Sequence, residues 1–259
     1  MRFVSTIGLS FIALLVVATG AFAASTVVVT PTSTQGWSTA DTRPGGAVNF
    51  VGDPTSPYPS GALQLTTDAT TGAKAQYLHA ASGPLSDVAE LSYWNKQVAG
   101  PIHAGASYQF IVDLNGDGTG GFTTFVYEPY QNGVVTPGVW QEWDVDAGQM
   151  WSSRSFAAGT CAVVAGAGGP PFYTLAGLQA TCPDAVVLGF GVNVGTFNPS
   201  YEILVDGVTF NGTTYDFEVT NEPNDKDDCK KGGWQNLTDG DSQPFKNQGK
   251  CVSYANHNN

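Results

Sequence analysis

Short runs in which apolar residues take every second position recur through most of this chain, and turn-forming residues separate them. Tyr108, Phe110 and Val112 alternate with Gln109 and Ile111. Further along, Val139, Gln141, Trp143 and Val145 oppose Trp140, Glu142, Asp144 and Asp146. A two-residue period sends successive side chains to opposite faces, so each run has one face to bury and one to leave in water. The pattern predicts strands at Ala62–Thr67, Ala73–His79, Ala89–Gln97, Ser107–Asp113, Phe122–Glu128, Val139–Asp146, Val186–Val194, Tyr201–Phe210 and Thr213–Phe217. One helix interrupts them: Thr174 caps Leu175–Thr181, and Cys182-Pro183 ends it. Many short strands, Gly-rich turns and no alternation of strands with helices predict an all-β, antiparallel sandwich rather than a nucleotide-binding α/β fold.

Charge narrows the partners. Only 12% of the 259 residues are charged, with 10 Lys and Arg against 22 Asp and Glu. Residues 24–220 hold Arg43, Lys74, Lys96 and Arg154 against sixteen carboxylates. Such a body offers no basic surface to neutralise phosphates, which excludes nucleic acid as a partner. It suits cations and neutral sugars.

At the N-terminus, Arg2, the apolar stretch Ile7 to Val17 and Ala21-Phe22-Ala23 have the charge, length and cleavage pattern of an export signal over residues 1–23. The apolar stretch is short for a membrane span. The expectation is a secreted protein with no membrane partner once the signal is removed. Cysteine usage agrees, because Cys161, Cys182, Cys229 and Cys251 make an even set in an oxidising compartment. Four cysteines admit three pairings. Proximity favours Cys161–Cys182 and Cys229–Cys251, each closing a loop of about 20 residues worth about 3 kcal/mol by chain entropy.

Residues 24–220 are read as the sandwich domain and 221–225 as a polar linker. Residues 226–259 are read as a small disulfide-closed C-terminal module, which needs its bridge or a docking surface because so short a segment builds little core. The segment Tyr201 to Phe210, with Asp206 before Gly207-Val208-Thr209-Phe210, resembles the closing strand of galactose-binding-like jelly rolls. Many carbohydrate-binding modules share that fold. Gly36-Trp37 and Gly61-Ala62-Leu63-Gln64-Leu65 fit its opening half. The tail, DCKKGGW with FKNQGKCVSY, is similar to a segment closing other secreted bacterial proteins. The resemblance implies a jelly-roll β-sandwich and a structural calcium near the first strand, with Asp206 among its ligands. Val205 stands where such modules usually carry a second acid, and a solvated strand acid is the other reading of Asp206.

Three constellations carry chemistry. Asp113-Leu114-Asn115-Gly116-Asp117-Gly118 sets oxygen ligands at alternate positions with Gly sixth, like the start of an EF-hand calcium loop. Thr124 replaces the bidentate Glu at the twelfth position, and the flanks are strands. The segment is therefore a plain hairpin turn or one stabilised by Ca²⁺ through Asp113, Asn115 and Asp117. Trp140, Glu142 and Asp144 share a strand face, with Trp94 and Tyr130 in neighbouring segments. Aromatic platforms beside hydrogen-bonding groups are what a sugar needs, although Trp140 packed under a loop accounts for the same pattern. Finally, Glu128, Glu142, Asp144 and Asp146 contain pairs that glycoside hydrolysis would require. No G-x-S-x-G, H-E-x-x-H or P-loop accompanies them, and His79, His103 and His257 are scattered. The sequence therefore points to a non-catalytic secreted protein that binds a glycan or cell-wall polymer, with calcium as a structural aid. An envelope interaction protein is the alternative, and a polysaccharide-degrading enzyme comes third.

Overall fold

Alternating strands become a sandwich when two apolar sheet faces meet, and the computed structural model has that arrangement. It describes residues 24–58, 60–100, 104–223, 225–240 and 243–258. The expected export signal and His103 lie outside the described residues. In chain order the strands are β1 (Ser25–Val29), β2 (Trp37–Ser38), β3 (Gly46–Gly52), β4 (Gly61–Thr67), β5 (Ala75–Pro84), β6 (Ser92–Ala99), β7 (Ser107–Asp113) and β8 (Phe122–Tyr127). They continue as β9 (Gln141–Asp144), β10 (Met150–Ser152), β11 (Phe156–Ala158), β12 (Cys161–Val163), β13 (Phe172–Tyr173), β14 (Val186–Val194), β15 (Glu202–Phe210) and β16 (Thr213–Phe217). Helices are α1 (Pro129–Asn132), α2 (Leu175–Thr181) and α3 (Gln248–Asn258).

Two seven-stranded sheets form the layers. In the first, β15 is central. β6 and then β9 lie along one edge, while β4 with β3 and β16 with β1 share the other. The second runs β13-β10-β8-β7-β14-β5-β2. The chain passes back and forth between the layers, so β14 lies between β5 and β7 and β15 between β4 and β6, as in a jelly roll. The ladders are antiparallel except that β1 runs parallel to β16 at the edge. β11 and β12 form a separate two-stranded ribbon.

Strands β7, β14 and β16 and helix α2 have the bounds the pattern predicts, and Thr174 Oγ1 accepts the capping hydrogen bond from Gly177 N. The Val139–Asp146 run is paired only over Gln141–Asp144. Before it, Gly138 N still reaches Gln97 O of β6, and after it Asp144 Oδ1 accepts from Ala147 N in a turn. Asn211 and Gly212 both adopt positive φ, 50° and 74°, which makes the tight β15–β16 hairpin. Helix α3 is a departure. The sequence pattern predicts no helix there, yet His257 is in this helix with a ring nitrogen 2.6 Å from Ser253 O. Both disulfides follow the proximity pairing, Cys161–Cys182 and Cys229–Cys251. The second anchors a small apolar cluster of its own with Ala255, packed by Trp234, Leu237, Phe245 and Val252.

Aromatic rings from both sheets fill the core. Trp37, nearly fully buried on β2, stacks on Tyr77 at 5.3 Å and meets Phe190, Tyr215 and Phe217 edge-on. Phe190 of the second sheet stacks on Phe210 of the first at 4.4 Å. Polar ends of buried rings are satisfied across the layers: Tyr108 Oη donates to Thr209 O and Tyr93 Oη to Ala106 O. Such pairs contribute about 0.5–1.5 kcal/mol each beyond burial. Replacing Trp37 by Ala should therefore cost about 3–5 kcal/mol in urea unfolding, and Trp37→Phe much less. A Trp37→Ala loss below about 1 kcal/mol would contradict this packing.

Candidate functional site

The inward face of the second sheet is used up by Tyr77, Tyr108, Phe110, Phe125, Tyr127 and Phe190. Strand alternation then fixes what its outward face carries, and there the side chains line up in rows across the strands. Asn193 of β14 stands directly opposite both Gln76 of β5 and Ser107 of β7. One row further along, Gly191 faces Leu78 on one side and Gln109 on the other, and Gln109 in turn faces Val126 and then Trp151. A Cβ on Gly191 would strike Tyr77 O and Leu78, so glycine keeps the middle of this surface flat.

The polar row is a hydrogen-bonded chain. Gln109 Nε2 donates to Ser107 Oγ (2.9 Å), which donates to Asn193 Oδ1 (2.9 Å). Asn193 Nδ2 donates to Gln76 Oε1 (3.1 Å), and Gln76 Nε2 to Ala40 O (3.1 Å). All four side chains are largely buried at the floor of a groove of about 740 Å³. Trp151, half-buried, and Tyr130, 42% exposed at the start of α1, flank one end. Gln131 Nε2 ties α1 to the opposing loop at Gly168 O (2.6 Å). Arg43 and Lys74, bridged through Arg43 N and Lys74 O, stand at another margin with Asp41. Arg154 lies over the Phe122 ring at 4.8 Å. Burial pushes the Glu128 carboxyl up to about 7, with the Trp151 indole N–H opposing the shift.

The sequence-derived candidates divide between the two sheets. Trp94, Glu142 and Asp144 share the outer face of the first sheet, where Trp94 pairs with Glu142 and Ser92 with Asp144. Trp94 is half-buried beside Tyr58, whose ring lies over Gly207. Trp140 is also half-buried, and the Lys96 ammonium sits 5.3 Å from its ring. Glu142 and Asp144 are exposed and border a cleft of about 390 Å³ with Glu90 and Asp146. Burial and the neighbouring Asp144 raise Asp146 to about 6, while their hydrogen bond draws Asp144 down. Tyr130 is on the other side of the sandwich, in the groove. Alternation in β7 showed Gln109 pointing outward. Gln76, Ser107, Asn193 and Trp151 escaped notice because only sheet order brings them to Gln109.

The metal candidates are also apart. Asp113, Asn115 and Asp117 share the β7–β8 loop, whereas Asp206 is fully buried in β15. Asp206 Oδ1 accepts from Gly207 N and Phe217 N, and its Oδ2 from Ser56 Oγ. Asp216 and Glu218 are buried nearby, each with one carboxylate oxygen lacking a partner. Among the described residues no group of three or more His, Cys, Asp or Glu side chains is arranged to hold a metal ion.

No family model and no curated protein matches the chain. Among solved structures it is similar to the family 11 carbohydrate-binding module from Clostridium thermocellum in complex with a β-1,3-1,4-mixed-linked tetrasaccharide. The identity is 14%, covering 68% of this chain and 86% of that one, with a TM-score of 0.38. It is also similar to the CBM22-1 xylan-binding domain from Paenibacillus barcinonensis Xyn10C, at 17% identity over 70% and 85% of the chains and a TM-score of 0.33. These likenesses are too distant to assign a family or a ligand. No helix among the described residues is long and apolar enough to cross a membrane.

Burial raises Asp206 to about 7 and pushes Asp216 and Glu218 upward, Glu218 also through the charge of Asp216. The folded state then holds more protons than the unfolded chain above about pH 4, and this contribution to stability is lost as pH rises through 7. With chelator present, wild type should unfold at lower urea at pH 8 than at pH 5. The double variant Asp216→Asn/Glu218→Gln should lose less over that range. Parallel pH profiles for the two proteins would refute the assignment.

Proposed function

We propose that this is an exported, non-catalytic glycan-binding protein whose ligand lies in the groove on the outer face of the β5-β14-β7-β8-β10 surface. The observation that carries this reading is the Gln109–Ser107–Asn193–Gln76 chain at the groove floor, with Trp151 and Tyr130 at its side. A sugar ring has two kinds of surface: hydroxyls, which need paired donors and acceptors, and C–H faces, which pack on aromatic rings. Amides and a hydroxyl on a flat floor serve the first, and the two aromatics serve the second. The groove volume falls in the range of small-ligand sites. Two disulfides suit an oxidising compartment.

Binding is favoured over hydrolysis by where the groove carboxyls stand. Glycoside hydrolysis needs two carboxyls facing each other across one bond. Here Glu128 lies beside Trp151, whereas Asp41 lies near Lys74 and Arg43. The other acids of the candidate hydrolytic set, Glu142, Asp144 and Asp146, lie on the side of the opposite sheet.

Affinity gel electrophoresis in soluble neutral polysaccharides tests the reading, with mixed-linked glucan, xylan and mannan as probes. At least one should retard the protein without releasing reducing ends. Gln109→Ala and Trp151→Ala should each weaken retardation about tenfold or more while melting as a single cooperative transition. Binding abolished by Trp140→Ala yet kept in Trp151→Ala would move the site to the other sheet. No retardation in any probe would overturn the proposal.

A further inference from the structure

The turn between β7 and β8 does more than reverse the chain. Asp113 closes β7 on its outward side and is only 4% exposed. Its Oδ2 accepts from Gly118 N (2.8 Å), while its Oδ1 is buried with no partner. Asn115 is oriented by its amide, since Nδ2 donates to Thr119 O (2.9 Å), and this leaves a second buried oxygen, Asn115 Oδ1, without a partner. Both oxygens point at one place. A Cβ built on Gly121 would run into Asp113 Oδ1 and Asn115 Oδ1 together. Glycine at 121 is therefore a requirement of that convergence, independent of backbone angle.

A buried carboxylate oxygen facing an amide oxygen, with no donor for either, is unfavourable unless something positive sits between them. Leu114 N already bonds Gly121 O, and Gly121 N bonds Thr119 O, so those two amides are engaged elsewhere. Asp117 Oδ1 accepts from Thr119 N and Oγ1, which folds the loop back over the same region. A carboxylate oxygen beside an amide oxygen is the donor chemistry of a hard divalent cation. Zinc would want nitrogen or sulfur, and Mg²⁺ would demand a stricter octahedron.

We propose that the β7–β8 loop binds Ca²⁺ through Asp113 Oδ1 and Asn115 Oδ1, with Asp117, loop carbonyls and water completing the shell. A Cβ on Gly116 would strike Asp184 O, so the loop is packed against the segment entering β14. The ion thus fastens the ends of three strands that carry the groove. The site is independent of what the groove binds.

Calorimetric titration of chelator-stripped protein with CaCl₂, paired with thermal melting, tests the site. At one hundred times Kd, Ca²⁺ should raise the melting temperature by about 5–10 °C, and Mg²⁺ at equal concentration by far less. Asp113→Asn and the milder, loop-surface change Asn115→Ala should each abolish most of the shift and weaken the titrated site. Gly121→Ala should do the same, because its Cβ would displace both oxygens. Glu218→Gln, in the separate acid cluster, should leave the shift intact. Equal melting with Ca²⁺ and with chelator would overturn the proposal. So would a shift that survives Asn115→Ala and Gly121→Ala but disappears in Glu218→Gln.

Discussion

Contact between aromatic rings of opposite sheets is the constraint on which the rest of this molecule depends. Phe190 against Phe210, and Trp37 against Tyr215 and Phe217, tie the layers at defined residues. Once those rings are fixed inward, the two-residue period leaves no freedom outward. A slip of one residue in β14 would turn Asn193 into the apolar core and Phe190 out of it. The polar row on the outer face is thus the complement of the aromatic layer.

The chain's excursions are held by cross-links and hydrogen bonds as well as by the core, into which Leu175 and Leu178 of α2 are buried. Cys161–Cys182 joins the β11–β12 ribbon to the end of α2, and Gln179 Nε2 donates to both Leu85 O and Val88 O. Cys229–Cys251 does the comparable work for the C-terminal segment, whose own apolar cluster is small. Closing loops of about 20 residues supplies stability that segments of this size do not gain from burial alone.

Legibility in the sequence followed the strength of local signals. Ser107–Asp113 and Val186–Val194 carry large apolar residues at inward positions and end at the predicted residues, and the Leu175–Thr181 helix has a capping Thr174. The sequence pattern predicts no strand before Ala62, yet residues 24–60 contain β1, β2 and β3. These strands pair at sheet edges and are short or broken up by the Thr-, Pro-, Gly- and Ser-rich stretches between them, so no long apolar alternation marks them. Helix α3 was missed because its apolar positions are few and Gly249 lies in its first turn. The groove was legible only in part. Gln109 announced its outward direction by alternating with Tyr108 and Phe110. That Asn193 would stand between it and Gln76 depends on pairings between strands far apart in the chain, which no local pattern encodes.

The groove floor also explains how a body so poor in basic residues can present an ordered polar surface without charge. The chain from Gln109 to Ala40 runs one way, each side chain donating to the next. Every amide in it spends one N–H on its neighbour, which fixes its rotamer and leaves the second N–H for a ligand. Their rotamer freedom is therefore lost on folding rather than on binding, which lowers the entropic cost of association. Neutral groups held this way match hydroxyls better than ions would, because an ammonium or carboxylate must be desolvated before it meets an uncharged partner. The carboxylates of Glu142 and Asp144 are instead placed on the opposite sheet, in water. The same fold thus separates a groove with a preorganised neutral floor from a hydrated acidic face, and that floor has hydrogen-bonding groups of the kind hydroxyls pair with.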